Sequence, residues 1–322
     1  MMRAAVALRA DAADPLAGLA VCDWPEPRPR PDWVVVRVRA ASLNHHDLWT
    51  LRGAGAPRGL PVVLGSDGAG TAADGTRVLV HGVVGDPAAG AGDETLDPKR
   101  TLLGEDHDGT LAEQVEVPAR NLVPLPAGLS LEHAACLPGA WLTAYRMLTE
   151  KAALGQAATV LVQGAGGGVA TALTVLGTAL GHRVWVTSGD EHKRRMALGI
   201  GAEAAFAPGQ RLPERVDAVM ETVGPSTWEH SARSVRPGGR IVVAGATSGR
   251  FATLDLARVF FHQLTVVGVT MGTRAQLAEL ARFCVESGVR PVVDRTLPLA
   301  RVRDGIAALA RGTVFGKVVI TV

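Results

Sequence analysis

The stretch with the clearest chemical consequence is Thr159-Val160-Leu161-Val162-Gln163-Gly164-Ala165-Gly166-Gly167-Gly168-Val169-Ala170. Five strand-forming residues lead into glycines, which make a tight turn at little steric cost. An apolar helical pattern over 170–180 follows. A helix that begins at such a turn presents free backbone N–H groups and the positive end of its dipole, an arrangement that binds a pyrophosphate. A strict G-x-G-x-x-G does not fit, because position 169 is Val. The better register is Ala165-x-Gly167-x-x-Ala170, whose last small residue permits close helix–strand packing. Ala165, Gly166, Gly167, Gly168 and Val169 are therefore candidate cofactor contacts.

The next strand ends Trp185-Val186-Thr187-Ser188-Gly189. Sites that prefer NAD put an acidic residue at this point to hold the ribose hydroxyls. Ser188 stands there instead, with Lys193, Arg194 and Arg195 close behind, a combination that suits a 2′-phosphate and hence NADP(H). Asp190 opens two alternatives: it caps the next helix, or it lies near the ribose and repels phosphate. Gly224, Gly245, Ala246 and Thr247 follow the fourth and fifth strands and should rim the nucleotide cleft. Thr270 and Met271, after the sixth, are placed near the nicotinamide. Phe260, Phe261 and Met271 form a candidate apolar substrate wall, although such a stripe also suits a core.

These residues need elements to hold them. The first ~125 residues read as short strands at 33–40, 62–64, 77–80 and 112–117, punctuated by glycines that include Gly53, Gly55 and Gly59. Pro25, Pro27, Pro29 and Pro31 make an extended approach to the first of them. The segment 85–105 reads as a polar loop. Ser130 is a helix N-cap and Pro138 should interrupt the helix it starts. Six apolar runs, at 159–163, 183–187, 204–206, 216–220, 240–244 and 264–268, then alternate with helical patterns such as 191–199. That alternation predicts a parallel sheet with helices on both faces, with the strand count of a complete dinucleotide-binding sheet. A helix over 274–286, a strand at 291–297, a helix at 300–310 and a strand at 316–322 close the chain.

Composition narrows the function classes. The chain has 322 residues, 47% hydrophobic and 20% charged, enough for about two domains with real cores. Its net charge of +2 leaves no basic excess for a dedicated nucleic-acid binder. Cys22, Cys136 and Cys284 are too far apart for a disulfide framework or a metal knuckle and fit a reducing compartment, so a cytoplasmic protein is expected. No signal peptide is visible at the N-terminus. The uncharged run 152–182 is long enough to span a bilayer, but its glycines make a strand, turn and helix the better reading, so no membrane association is expected.

Taken together, several stretches resemble the medium-chain dehydrogenase/reductase superfamily, closest to its quinone oxidoreductases and zinc-binding dehydrogenase branch. They are Val38-Arg39-Ala40-Ala41-Ser42-Leu43-Asn44-His45-His46-Asp47, Leu64-Gly65-Ser66-Asp67-Gly68-Ala69-Gly70, Gly109-Thr110-Leu111-Ala112-Glu113, Leu142-Thr143-Ala144-Tyr145, the glycine loop, Pro237-Gly238-Gly239-Arg240 and Phe315-Gly316-Lys317-Val318-Val319. The resemblance implies an α/β protein: a GroES-like, mainly β catalytic domain (1–124 with 289–322) interrupted by a Rossmann NADP(H)-binding domain (125–288), with the active site between them. It also implies a homodimer formed through the sixth sheet strand, that Asn44 and Asp47 line the pocket beside the nicotinamide, and that Trp49, a substrate-pocket residue, stands where a quinone-reductase tyrosine would. Thr143 and Lys317 are implied cofactor contacts, and Tyr145 a neighbour of the cofactor.

Zinc-dependent members of that family bind the metal with Cys and His. Here Ser42, Ser66 and a position at or beside Gly139 stand at the ligand sites, and 85–105 lacks the four cysteines of a structural zinc lobe. No zinc is expected. His45 and His46, if on a strand, would point to opposite faces and could not share an ion. His81, His107, Asp67 and Asp108 leave an adventitious metal open. Without a Lewis acid, reduction of a quinone or an α,β-unsaturated carbonyl is easier to sustain than alcohol oxidation. Two alternatives stay open: an alcohol or aldehyde dehydrogenase with a non-standard metal site, and an NADP(H)-binding sensor without turnover.

Overall fold

A computed structural model describes residues 1–28, 30–54 and 59–322; Pro29 of the proline-rich approach and Gly55 of the glycine punctuation lie outside them. The chain divides into two compact units, Met1–Leu142 with Gly272–Val322, and Thr143–Met271. The change of sequence texture suggested divisions after 124 and 288, whereas residues 125–142 and 272–288 group with the first unit. Long-range bonds hold them there. His81 Nε2 pairs with the Gly272 carbonyl at 2.8 Å, the Arg274 guanidinium donates to the Leu122 carbonyl at 2.9 Å, and Arg290 donates to that of Gly128 at 3.1 Å.

In the first unit the main sheet runs Leu122–Pro124, Arg77–Val80, Asp67–Ala72, Trp33–Ser42, Lys317–Thr321, Val293–Pro298, with Gln114–Pro118 also paired to Trp33–Ser42. The C-terminal strand Lys317–Thr321 thus lies antiparallel beside Trp33–Ser42, with Val319 opposite Ser42. Val36, Val38, Leu64, Leu111, Val115, Val318 and Ile320 fill the core behind it. A second sheet, Leu19–Trp24, Met2–Ala7 and Val62–Val63, contains two strands that the sequence reading did not single out. Half of Met2–Ala7 is alanine, a poor strand former, and burial on neighbouring strands overrides that propensity.

The segment 85–105 is a folded lobe, not an open loop. Val83–Val84 pairs with Thr101–Leu102, and Asp97 accepts the backbone N–H groups of Asp86 and Lys99 at 2.8 Å each. Two of its acidic residues, Glu94 and Asp97, are buried while accepting backbone N–H groups, Glu94 from Arg274, which composition alone does not reveal.

The second unit carries one parallel sheet in the order Ala204–Phe206, Arg183–Thr187, Thr159–Gln163, Val216–Glu221, Val235–Val243, Thr265–Gly268. This is the order of a doubly wound dinucleotide-binding sheet, with its switch between the first and fourth strands. Leu161, Trp185, Val219 and Ile241 form its core. The helix Glu191–Gly199 matches its sequence pattern to the residue. Pro138 lies in a π-helical turn, Leu137–Trp141, so the expected interruption is a widened turn rather than a break. No helix among the described residues is long and apolar enough to cross a membrane. The run 152–182 divides into Thr159–Gln163 and the helix Gly168–Ala179.

Candidate functional site

Within the second unit, the candidate cofactor residues converge on the carboxyl ends of the parallel strands. Gly164 takes φ +88°, a left-handed turn that suits glycine, and its N–H donates to Thr187 Oγ1 at 3.3 Å. The helix starts at Gly168 behind an extended Gly167, so its first amides have no intrahelical acceptor. Gly167 is open: a Cβ placed there would meet nothing within 4 Å. At Gly166 a Cβ would lie 2.7 Å from Lys193 Cδ and 3.0 Å from its Nζ, so the Lys193 ammonium rests on the glycine loop. This cradle, a helix N-terminus with a cation beside it, fits a dinucleotide phosphate.

Asp190 caps the helix Glu191–Gly199, accepting from the N–H groups of His192 at 2.8 Å and Lys193 at 3.2 Å, and those two bonds hold its carboxyl below the usual range. Of the two readings of Asp190, the cap is the one built. Ser188 Oγ accepts the Asp190 N–H at 3.2 Å, and Arg194 donates to the Ser188 carbonyl. On the far side of the rim, the loop 222–224 packs on 245–248: Ser248 N–H donates to the Val223 carbonyl at 2.8 Å, and a Cβ on Gly245 would lie 2.9 Å from Thr222 O. Gly224, Gly245, Ala246 and Thr247 thus stand together. Thr143 is buried, Thr270 is exposed, and Met271 takes φ +47°.

The apolar wall is corrected. Phe260 and Phe261 are 62% and 75% exposed on the short helix Leu256–Phe261, next to the edge strand Thr265–Gly268, rather than enclosing a pocket or joining a core. Both faces of so short a helix cannot be buried by one sheet, and this pair lies on the uncovered side.

In the first unit, the segment resembling a catalytic pocket is built around a buried charge pair. Asp67 is fully buried and Lys317 is 2% exposed. Lys317 Nζ donates to Asp67 Oδ2 at 3.1 Å, to the Leu43 carbonyl at 2.8 Å and to Asn44 Oδ1 at 2.6 Å. An ammonium has three N–H bonds, so these acceptors use all of them. The expected role of Lys317 as a cofactor contact is therefore not what its geometry provides. Ser42 Oγ lies 2.9 Å from both Asp67 Oδ2 and the Ala135 carbonyl.

Asn44 precedes the helix His45–Leu51, and Asp47 in its first turn accepts the Asn44 N–H at 2.8 Å through Oδ2 and the Gly65 N–H at 3.0 Å through Oδ1. Burial pushes the Asp47 carboxyl up, against these bonds and the nearby charges of His46 and Lys317. Asp47 is thereby a clamp between two chain segments, and Trp49 is only partly covered on the same helix. His45 and His46 are also on this helix, not on a strand, which removes the opposite-face argument. They still do not converge on an ion. His46 pairs with Glu105, His81 with the Gly272 carbonyl, His107 with Thr101 Oγ1, and Asp108 accepts from Val63 N and Trp24 Nε1.

The donor set does not fit a zinc ion. Hydroxyls stand at 42 and 66, the one carboxylate between them is paired to an ammonium, and a Cβ at Gly139 would lie 2.5 Å from Asp67 Oδ1. Burial pushes the neighbouring Cys136 thiol up to about 12. No group of three or more His, Cys, Asp or Glu among the described residues could hold a metal. Sequence reading undervalued Asp67. Its signal was a carboxylate among glycines and apolar residues on a strand, which cannot be buried without a partner.

Two family domains match the chain. A domain described as "Alcohol dehydrogenase GroES-like domain" matches residues 30–127, and one described as "Zinc-binding dehydrogenase" matches 168–286. The chain is similar to an acryloyl-coenzyme A reductase of Sulfurisphaera tokodaii, 26% identical over 95% of this chain and 97% of that protein. Among solved structures it is similar to an NAD-dependent alcohol dehydrogenase, 36% identical with a TM-score of 0.91 over 100% of both chains. It is also similar to a 2-octenoyl-CoA carboxylase reductase in complex with NADP and 2-octenoyl-CoA, 25% identical with a TM-score of 0.92 over 99% of this chain and 87% of that one.

Proposed function

Because the chain belongs to the medium-chain dehydrogenase/reductase superfamily, with a Rossmann domain inserted into a GroES-like domain, we propose that it is an NADPH-dependent, zinc-independent reductase of α,β-unsaturated carbonyl compounds. The observation that carries this reading is the orientation of Asn44. Its Oδ1 accepts from Lys317, so its Nδ2–H2, which makes only a long 3.5 Å bond to Ser66 Oγ among the described residues, is the end that can donate to a substrate oxygen.

Bound NADPH supplies a hydride to the β-carbon of the substrate. The electron pair of the alkene moves onto the carbonyl oxygen, Asn44 Nδ2 donates to that oxygen as charge develops, and the α-carbon then takes a proton from solvent. Asp47 holds the Asn44 backbone in place for this. Gly166, Gly167 and Gly168, with Lys193 beside them, would hold the phosphates of the cofactor. The neutral Ser188 and the diversion of Asp190 into a helix cap favour the 2′-phosphate. Relatives named as reductases of unsaturated CoA thioesters support such substrates over quinones, as does Trp49 in place of a tyrosine.

A cytoplasmic homodimer completes the reading: the three thiols are unpaired, and the edge strand Thr265–Gly268 has an exposed Val266 beside Phe260 and Phe261. The alcohol dehydrogenase reading has support in the 36% identical relative and is opposed by the donor set around Asp67.

The test is NADPH oxidation with short enoyl thioesters, enones and quinones, with and without chelator, against NADP⁺ reduction by alcohols. Chelator-insensitive turnover of the enoyl compounds is expected. Alcohol oxidation that chelator abolishes would overturn the reading. Dinucleotide binding without turnover would favour a sensor.

A further inference from the structure

Asn and Gln amides look alike at their two ends, and only their neighbours decide which end is oxygen. At Asn44 the neighbour is an ammonium, which can only donate, so the atom 2.6 Å from Lys317 Nζ is the carbonyl oxygen. The amide is thus fixed in one orientation by a charge. The same lysine holds the Leu43 carbonyl at 2.8 Å, while Asp47 holds the Asn44 N–H at 2.8 Å and Val318 O accepts the Leu43 N–H at 2.9 Å. Among the described residues the amide Nδ2 bonds only to Ser66 Oγ, at the long distance of 3.5 Å.

A buried cation is costly unless it is paired, and Asp67 supplies the pair. Lys317 is held for this by its strand. Gly316 takes φ +100°, and a Cβ there would lie 2.2 Å from the Val292 carbonyl. An ammonium on an amide oxygen draws electron density from the nitrogen and makes its N–H groups stronger donors.

We propose that Lys317 is a positioning residue that acts through Asn44: with Asp67 as counter-ion it fixes the carboxamide in the donor orientation and polarises it, so that a buried ammonium supports the developing negative charge on the substrate oxygen without touching it. This rests on the reductase reading for the identity of that oxygen. The relationship between Lys317 and Asn44 stands on the geometry alone.

The test compares the wild type with the charge-neutral double variant Lys317→Met/Asp67→Asn, chosen because removing both partners avoids an orphaned buried charge. Thermal melting checks that it folds. Two readouts are taken: the side-chain amide signals of Asn44 in a nitrogen–proton NMR spectrum, identified by their loss in Asn44→Ala, and kcat against NADPH affinity with an enoyl thioester. The expected result is that the Asn44 amide signals move upfield toward those of an exposed asparagine. kcat should fall roughly tenfold, less than the loss in Asn44→Ala, while the NADPH Kd is unchanged. Unmoved amide signals overturn the proposal. So does an unchanged kcat in the folded variant, or a loss of NADPH affinity that matches the loss of kcat, which would make Lys317 a cofactor ligand. A wild type that turns over no unsaturated carbonyl removes the reductase reading, and the amide signals still decide the relationship between the two residues.

Discussion

The carboxylate of Asp190 accepts the backbone N–H of Lys193 at 3.2 Å, so the acidic residue nearest the expected ribose site anchors the helix that carries the lysine beside the glycine loop. Its negative charge is committed to a helix N-terminus, where it is favourable. On the proposed NADPH reading, the cofactor preference turns on Ser188 and Lys193. Ser188→Asp should weaken NADPH at least tenfold while sparing NADH, read by fluorescence titration. Asp190→Ala should instead lower stability through the lost cap, with a small effect on affinity.

The glycine loop yields a second prediction. Gly166→Val places side-chain atoms where Lys193 Cδ and Nζ already lie. The lysine tip can swing away, so the fold should survive. Dinucleotide affinity should fall by ten- to a hundredfold, because the cation leaves and the loop amides are covered. A titration with wild-type affinity would place the phosphate elsewhere.

Gly316 is more severe. Gly316→Ala combines a positive φ with a clash of Cβ against the Val292 carbonyl at 2.2 Å, a backbone atom that cannot step aside. The positive φ alone costs on the order of 1–3 kcal/mol. Chemical denaturation should show at least that loss, and a neutral result would mean that the strand start is not built this way.

His46 makes stability depend on pH. Burial pulls its imidazolium down, yet the hydrogen bond and charge of Glu105, with Asp47 and Asp67, outweigh it and leave the pKa raised above 6.5. A group protonated more readily in the folded state contributes its stability fully below its unfolded pKa and loses it as pH rises through the folded one. Stability should decline as pH rises above about 6.5, and His46→Gln should flatten that decline. Denaturation midpoints between pH 6 and 9 would show it.

The exposed edge of the second unit gives the last prediction. Val266 is 42% exposed on the edge strand, and Phe260 and Phe261, on the preceding short helix, are exposed as well. Val266→Lys should convert a dimer to a monomer in light scattering, since charge on an edge strand opposes pairing. A wild type that is already monomeric would remove the homodimer proposal.

Local chemistry was legible in the sequence. The strand, glycine turn and helix of 159–180, the caps at Ser130 and Asp190, and the helices Glu191–Gly199 and Arg274–Glu286 depend on residues a few positions apart, and they are where spacing put them. The parallel sheet followed from the alternation of strands and helices for the same reason. Tertiary structure alone decided the rest. Lys317 meets Asn44 across 273 residues and Asp67 across 250 because the last strand inserts beside Trp33–Ser42. The acids of 85–105 became a folded lobe, and Phe260 and Phe261 stayed in solvent. Whether a charge finds its partner, or a ring its cover, depends on strand pairings between distant segments, and no spacing along the chain encodes them.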